Sequence, residues 1–320
     1  MRLDMEMPED EVIHLYLEKI RQTRPLIHHI TNQVTMNDCA NTAYAIGARP
    51  TMAFYAPESK QAAEQADAVV WNLGTFHPEM AAAIRVSLPM AGRRPIPVVI
   101  DPVAAQSYPG RSEFLLEILT AFEDIYQKNQ LKCRIIIRCN AGELACLNEA
   151  LRKPRHPIID SSQSGGVDDL TLPGDHIDIC RTFMEIFRER LPICIVMTGS
   201  TDYIGWTDPG RPVPGSADTG SSDPGRTSAC LPAAGYPQLS LSRSCPLLTC
   251  MTGAGCMSNT LIAAFASVAD SEGNIADAGH AARSALVFLV QSAQNAQKYS
   301  RGMGTFRINL MDELSSNIMI

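Results

Sequence analysis

The chain has 320 residues and is 45% hydrophobic, which is enough for one large domain or two small ones. Its 27 basic and 34 acidic residues give a formal net charge of −7. A mildly acidic chain without a Lys/Arg cluster does not fit a nucleic-acid-binding protein, and no apolar run reaches the roughly 18 residues typical of a membrane span. We therefore expect neither nucleic acid nor a membrane as a partner.

The N-terminal residues 1–11 are acidic and lack the basic and apolar regions of a signal peptide. Ten cysteines are present without a Cys-x-x-Cys pair, and the seven histidines have no metal-binding spacing. We interpret the cysteines as reduced thiols rather than disulfides or zinc ligands. These features predict a cytoplasmic protein.

Short apolar runs alternate with helical patterns along the chain. The predicted strands are Pro50–Tyr55, Ala68–Leu73, Pro97–Asp101, Arg134–Arg138, Ile193–Thr198 and Asp202–Trp206. The predicted helices fill the gaps at about 57–66, 78–91, 112–127, 142–151 and 175–190. Apolar strands without strict alternation are typical of a parallel sheet buried on both faces. The repeated strand–helix order predicts a doubly wound α/β fold.

The C-terminal part is predicted to be mainly helical. A helix begins near Cys256, because apolar residues follow at helical spacing over 261–268. A second, alanine-rich helix runs from about Ile275 to Lys298. A possible edge strand, Thr305–Leu310, and a short helix close the chain.

Two segments interrupt this pattern, at about 153–174 and 208–237. The longer one contains six Pro, five Gly and four Ser in thirty residues. We interpret both as flexible surface insertions rather than linkers between domains, because one α/β pattern continues across them. Residues 1–320 are therefore predicted to form a single domain.

Polar residues follow several predicted strands. Asp101 ends one strand, Arg138 and Asn140 end the next, and Thr198 ends a third. Ligands of parallel α/β sheets bind beyond the carboxyl ends of the strands, so these residues are expected to converge. Each of them alone is also compatible with a helix cap or a turn.

Asn140 and Glu143 are three residues apart at a predicted helix start. One interpretation is an N-cap with its capping-box partner. The other is an acidic ligand, direct or through water, for Mg²⁺ that carries nucleotide phosphates, with Asp101 as the second carboxylate.

The segment Leu247–Cys256 ends in a glycine turn, Gly253-Ala254-Gly255, followed by Cys256. Small residues before a helix expose backbone N–H groups to an anion, although the turn is also compatible with a plain strand-to-helix connection. Cys256 is either a buried helix residue or a thiol whose pKa the helix N-terminus lowers from about 8.5. In the second case it is a candidate base for an alcohol that attacks a γ-phosphate.

Together these motifs resemble those of the hydroxyethylthiazole kinase family, within the ribokinase-like superfamily. They occur in the family's order: Arg24–Asn32, Ala45–Met52, Asn72–Thr75, Val99–Val103, Arg138–Glu143, Thr198-Gly199 with Asp202–Ile204, Leu247–Cys256 and Gly302–Phe306. The resemblance implies a ribokinase-like α/β fold with a central, mostly parallel sheet covered by helices on both faces.

The resemblance also implies ATP-dependent phosphorylation of 4-methyl-5-(2-hydroxyethyl)thiazole in thiamin salvage. By its motifs, Met52 and Gly253 contact the thiazole, and Asn32 lies in the segment that lines its pocket. The turn from Gly253 to Cys256 is the anion hole, and Cys256 is the catalytic residue. The family's assembly implies a homotrimer with substrate pockets at subunit interfaces.

For the nucleotide, the resemblance implies that Arg138, Thr198 and Asn140 contact ATP. Asp101 and Glu143 are implied to belong to the magnesium and phosphate region. The expected cofactor is therefore Mg²⁺, with ATP as the co-substrate.

The chain departs from the family's pattern at four places, one of them Ser242–Cys245, where His-Asn-Gly-His is common. Cys139 stands where the family has glycine, and a positive φ there would hinder close approach to ATP. Ala104 replaces a glycine near the phosphates. The 208–237 insertion is expected near the nucleotide side, either as a solvated loop or as a lid.

Two other functions are considered. A nucleotide-dependent dehydratase of hydrated NAD(P)H shares the phosphate-site features, but its base position is typically Asp rather than Cys256. A thiazole-binding protein with weakened catalysis is the second, and Cys139 and Ala104 are the features that would favour it.

Overall fold

The structure is a computed structural model that describes residues 7–152, 176–207, 209, 238–242, 245–269 and 274–316. Apart from residue 209, the two predicted insertions lie outside the described residues. No helix of the described part is long and apolar enough to cross a membrane.

The described strands form one sheet of eight, in the order β2-β1-β3-β4-β5-β6-β7-β8. They are β1 (Leu26–Ile30), β2 (Arg49–Thr51), β3 (Ala68–Asn72), β4 (Pro97–Asp101), β5 (Arg134–Asn140), β6 (Ile193–Thr198), β7 (Asp202–Thr207) and β8 (Gln238–Leu241). The six strands β1 to β6 pair in parallel with their neighbours, whereas β7 and β8 are antiparallel additions at one edge.

Helices cover both faces of this sheet. They are α1 (Glu9–Thr23), α2 (Met36–Ala45), α3 (Ala56–Gln65), α4 (Pro78–Gly92), α5 (Pro109–Gln127), α6 (Ala141–Arg152), α7 (His176–Phe187), α8 (Pro246–Thr249), α9 (Ala254–Ser267), α10 (Ile275–Lys298) and α11 (Met303–Ser315). Alternate residues of β3 point to opposite layers: Val70 joins the core under α9 and α10, whereas Val69 and Trp71 join the core under α4 and α5. The predicted mostly parallel sheet, covered on both faces, is confirmed.

Several predicted elements differ from the structure. Thr305–Leu310 is not a strand but part of α11, because Phe306, Leu310 and Leu314 are buried at a spacing of four residues on one helix face. The segment after Pro246 forms the short helix α8, and the predicted strand Pro50–Tyr55 shortens to β2.

The β7–β8 connection leaves the sheet far from the carboxyl ends of the parallel strands. Thr207, the last residue of β7, pairs with Ile193, which begins β6, while Thr198 ends β6 on the opposite side. The neighbouring β8 begins at Gln238, opposite Gly205. The insertion expected near the nucleotide side, 208–237, lies outside the described residues apart from residue 209; the strand ends that flank it, Thr207 and Gln238, lie towards the other end of the sheet.

Candidate active site

Polar side chains meet where β3, β4 and β5 end beside the start of α9. Asp101 ends β4, and the Arg138 guanidinium on β5 lies 3.8 Å from its Oδ2 atom. Thr198 on β6 stands in register with Asn140 on β5. The convergence predicted from the strand ends is confirmed.

The glycine turn fits tightly against this group. Gly253 has φ of 93°, and a Cβ atom there would lie 2.8 Å from the Thr35 methyl group. A Cβ atom on Gly255 would lie 2.8 Å from Nη1 of Arg138. Gly253 therefore requires glycine for its backbone conformation as well as for space, whereas a side chain at position 255 would displace the Arg138 guanidinium.

Ala254 and Cys256 belong to the first turn of α9. The first N–H groups of a helix have no intrahelical acceptor and are available to an anion. The Ala254 N–H bonds to the carbonyl of Met251 at 3.4 Å, and the next residue, Gly255, lies beside the Arg138 guanidinium. This arrangement suits the binding of a phosphoryl group.

The sulfur of Cys256 is contacted by two side-chain amides. Nδ2 of Asn72 lies 3.2 Å from Sγ, and Nδ2 of Asn32 lies 3.3 Å from it. Burial and the nearby Asp101 raise the pKa of Cys256, and hydrogen bonds with Thr35 and Asn32 and the charge of Arg138 only partly oppose this. The expected lowering of the pKa by the helix N-terminus is therefore outweighed.

Asp101 is buried, and both of its carboxylate oxygens accept hydrogen bonds. Its Oδ2 atom accepts hydrogen bonds from Asn259 at 2.6 Å and Asn72 at 3.1 Å, and Oδ1 accepts one from the Val103 N–H at 3.2 Å. Burial raises the pKa of Asp101, and the charge of Arg138 opposes that shift. The carboxylate is thus held in place by amides and a guanidinium.

Glu143 closes a capping box at the start of α6. Its Oε2 accepts from the Asn140 N–H at 2.8 Å, and Oδ1 of Asn140 accepts from the Glu143 N–H at 2.8 Å. Its Oε1 accepts from the Ala104 N–H at 2.6 Å. Burial, and then the charge of Asp101, raise the pKa of Glu143 to about 7. The capping interpretation is confirmed, and it leaves the carboxylate close enough to Asp101 for the two charges to repel.

Asp101 and Glu143 fit a hard cation. Both are buried carboxylates, and each destabilises the other's charged form, which a divalent cation would relieve. No group of three or more His, Cys, Asp or Glu side chains that could hold a metal occurs among the described residues. The donor set therefore suits Mg²⁺ only if phosphate oxygens and water supply the other ligands.

Cys139 does not face this group. It lies within β5, its side chain is fully buried in the core on the α4 and α5 side, and its φ is not positive. The Cys139 side chain therefore does not hinder the approach of a nucleotide.

Ala104 does adopt the left-handed conformation, with φ of 56°, where the related motif has glycine. Replacing Ala104 by Gly is expected to raise the free energy of unfolding by up to about 1 kcal/mol, because the strain relieved exceeds the entropy that glycine adds to the unfolded chain. Denaturant unfolding of the variant measures the change. Ala105→Gly, at a neighbour without positive φ, is the control and should destabilise; a less stable Ala104→Gly variant would contradict the prediction.

Direct contacts link five predicted site residues: Asn32, Asp101, Arg138, Gly255 and Cys256. Met52 follows β2 and is half-buried, without a described hydrogen bond to this group.

Three residues without a predicted role, Thr35, Asn72 and Asn259, also belong to the site. Asn72 ends β3, so the strand-end rule was a signal for it, whereas Asn259 lies inside a helix and carries no such signal.

Comparisons with known proteins agree with this geometry. A hydroxyethylthiazole kinase from Desulforudis audaxviator is 31% identical over 300 residues, covering 94% of this chain and 89% of that protein. One from Natranaerobius thermophilus is 29% identical over 301 residues, covering 94% of this chain and 90% of that protein. The solved structure of the hydroxyethylthiazole kinase protein from Pyrococcus horikoshii aligns with a TM-score of 0.67 at 25% identity, over 96% of this chain and 93% of that one. This similarity confirms the ribokinase-like α/β fold.

The profile of the hydroxyethylthiazole kinase family matches residues 17–319, and the chain therefore belongs to that family.

Proposed function

We propose that this chain transfers the γ-phosphoryl group of ATP to the hydroxyl of 4-methyl-5-(2-hydroxyethyl)thiazole, a step of thiamin salvage. Family membership supports the kinase activity. The observation that carries the proposal is the contact group at the start of α9, where the glycine turn and Arg138 form an anion site beside the Cys256 thiol. No finding favours the dehydratase, and the buried position of Cys139 removes one of the two features behind the weakened-binder alternative.

In this mechanism the chain positions the reactants and stabilises charge. The turn amides and the Arg138 guanidinium stabilise the oxygens of the transferring phosphoryl group. Thr198 and Asn140, at adjacent strand ends, contact the nucleotide. When bound, Mg²⁺ neutralises nucleotide phosphate charge, and Asp101 and Glu143 are the residues that would hold it, directly or through water.

Cys256 is the proposed base. Its Sγ atom accepts the proton of the thiazole alcohol while the alcohol oxygen attacks the γ-phosphorus in line and ADP leaves. Met52 and Gly253 contact the thiazole ring in this proposal. Asn32 lines the same pocket, and it also contacts the sulfur itself at 3.3 Å.

Cys256→Ala is expected to lower kcat by at most about 10²–10⁴-fold, the usual contribution of a positioned base, and to leave ATP affinity nearly unchanged. Cys256→Asp should retain or raise activity, because a carboxylate is ionised at neutral pH. Steady-state kinetics with ATP titration provide the measurement. An alanine variant with the wild-type kcat would remove Cys256 from the base role, and an inactive Asp variant would mean that the thiol acts differently.

A homotrimer with pockets at subunit interfaces is part of the proposal. It is supported by exposed large apolar side chains on elements around the β2 edge of the sheet: Val34, Tyr44, Tyr55 and Ile308, each more than 60% exposed. The helices α2 and α11 in this region are joined by an Asp38–Arg307 ion pair. The molar mass from light scattering tests the assembly, and Tyr44→Glu should reduce it to that of a single chain.

The assay that tests the function uses purified protein, Mg-ATP and the thiazole alcohol, following ADP and the phosphorylated product together. A pyrimidine alcohol and other small alcohols are the controls. ADP release without thiazole phosphate would overturn the proposal. A cytoplasmic location belongs to the same proposal, because the described thiols are free and ATP is the co-substrate.

A further inference from the structure

The Cys256 sulfur lies between two carboxamides whose orientation can be assigned. Asn72 and Asn32, together called the carboxamide pair, each place a nitrogen 3.2–3.3 Å from Sγ. Side-chain amides can be rotated by 180° to exchange oxygen and nitrogen, so the assignment depends on their other partners.

For Asn72, the other partners fix the orientation. Its Oδ1 atom accepts the backbone N–H of Gly74 at 3.0 Å, and a backbone N–H can only donate. The opposite end of the amide, Nδ2, lies 3.1 Å from Oδ2 of Asp101, which accepts. Rotating the amide by 180° would place its nitrogen against the Gly74 N–H and its oxygen against the Asp101 carboxylate oxygen. Neither pair can form a hydrogen bond, so the nitrogen must face Cys256.

Asn32 is fixed in the same way. Its Oδ1 atom accepts the N–H of Thr35 at 3.0 Å and lies 3.1 Å from the Thr35 hydroxyl. Its Nδ2 atom donates to Oδ1 of Asn72 at 3.0 Å. Each residue of the carboxamide pair therefore directs one N–H group at Sγ, and neither directs an oxygen at it.

We propose that Asn72 and Asn32 are positioning residues that hold Cys256 Sγ as a hydrogen-bond acceptor, oriented to receive the proton of the substrate hydroxyl. The inference rests on the proposed function. In the step itself the alcohol O–H bond breaks and an S–H bond forms; the alcohol oxygen bonds to the γ-phosphorus, and the bond from that phosphorus to the ADP oxygen breaks. Two donors on sulfur favour the thiolate that this step requires.

The surroundings explain why neutral donors are needed. Asp101 on β4 opposes a negative charge on Sγ, whereas hydrogen bonds from Thr35 and Asn32 and the charge of Arg138 on β5 favour it. Arg138 is also engaged with Asp101 at 3.8 Å. The amides stabilise the sulfur without adding charge, and Asn72 uses its second N–H to hold the Asp101 carboxylate.

The first test is a double-mutant cycle. Asn72→Ala should lower kcat by about 10–100-fold in the wild-type background, as expected for hydrogen bonds to a charged group. In the Cys256→Ala background the same change should cost clearly less, because the sulfur is gone and only the contact of Asn72 with Asp101 remains to be lost. Equal losses in both backgrounds would mean that Asn72 has a general structural role and would overturn the proposal.

The second test does not require kinase activity. Alkylation of Cys256 by iodoacetamide, followed by peptide mass spectrometry without nucleotide, gives the pH midpoint of thiolate formation, while the plateau rate reports access. The midpoint should rise in Asn32→Ala and Asn72→Ala, and most in Asn72→Asp, which places a carboxylate beside the sulfur. Unchanged midpoints would overturn the proposal.

Cys39→Ala is the matched control, because the Cys39 thiol contacts the Cys256 backbone carbonyl at 3.6 Å rather than the Sγ atom. It should leave the coupling between Asn72 and Cys256 intact. If the wild-type protein forms no thiazole phosphate, the proposed function fails, yet the alkylation midpoints still decide whether the carboxamide pair holds the sulfur.

Discussion

Replacing Arg138 by Ala is expected to lower kcat by about 10²–10³-fold and the free energy of unfolding by about 3–5 kcal/mol. The kinetic loss follows because the guanidinium lies beside the Gly255 position and neutralises developing phosphoryl charge. The stability loss follows because Asp101 is buried and would keep a charge without its cation.

The two losses can be separated with a second substitution. Adding Asp101→Asn to Arg138→Ala removes the unpaired charge, so thermal or denaturant unfolding should show partly recovered stability. The loss of Arg138 and of the Asp101 carboxylate keeps kcat low. Arg138→Lys retains the charge without the planar, forked donors and should fall between wild type and alanine in kcat. An Arg138→Ala variant with full stability and activity would contradict both parts.

Gly255→Ala is expected to reduce kcat by about 10²-fold with little loss of stability. The added Cβ atom would lie 2.8 Å from Nη1 and 3.0 Å from Nη2 of Arg138, so the guanidinium must move away from the anion site. The fold tolerates the change because the clash involves the end of a flexible side chain and because alanine favours a helix more than glycine does.

Kinetics of Gly255→Ala beside Gly110→Ala provide the comparison. Gly110 is the second residue of α5, and a Cβ atom there would meet nothing within 4 Å, so the kcat of Gly110→Ala should equal that of the wild type. If Gly255→Ala also kept the wild-type kcat, the position of the Arg138 guanidinium would not matter for phosphoryl transfer.

Much of the site could be predicted because its residues end apolar strands. Asp101, Arg138 and Thr198 follow such strands, and parallel strands bring their carboxyl ends to one edge. Asn259 could not be found in this way, because it reaches Asp101 from the second turn of α9. Nor does sequence give the orientation of the amides around Cys256, which depends on backbone N–H groups brought together by the fold.

Two errors in the predicted elements have physical causes. The strand β1 was missed because His28 and His29 interrupt its apolar run, yet both are buried, with His28 Nε2 lying 3.0 Å from the Ala53 carbonyl. The helix α11 was partly predicted as a strand because Phe306 and Leu310 fit both a period of two and a spacing of four over so short a segment.

At the antiparallel β7–β8 edge, the longer insertion is attached far from the proposed active site. The segment 208–237 departs next to the strand end where Ile193 begins β6, whereas the proposed phosphoryl site lies at the opposite strand ends. Loop-closure entropy grows only slowly with length, so thirty residues cost about 2 kcal/mol more than a four-residue turn. This hairpin is therefore a position where peptide can be inserted, labelled or shortened while the nucleotide-facing edge keeps its geometry.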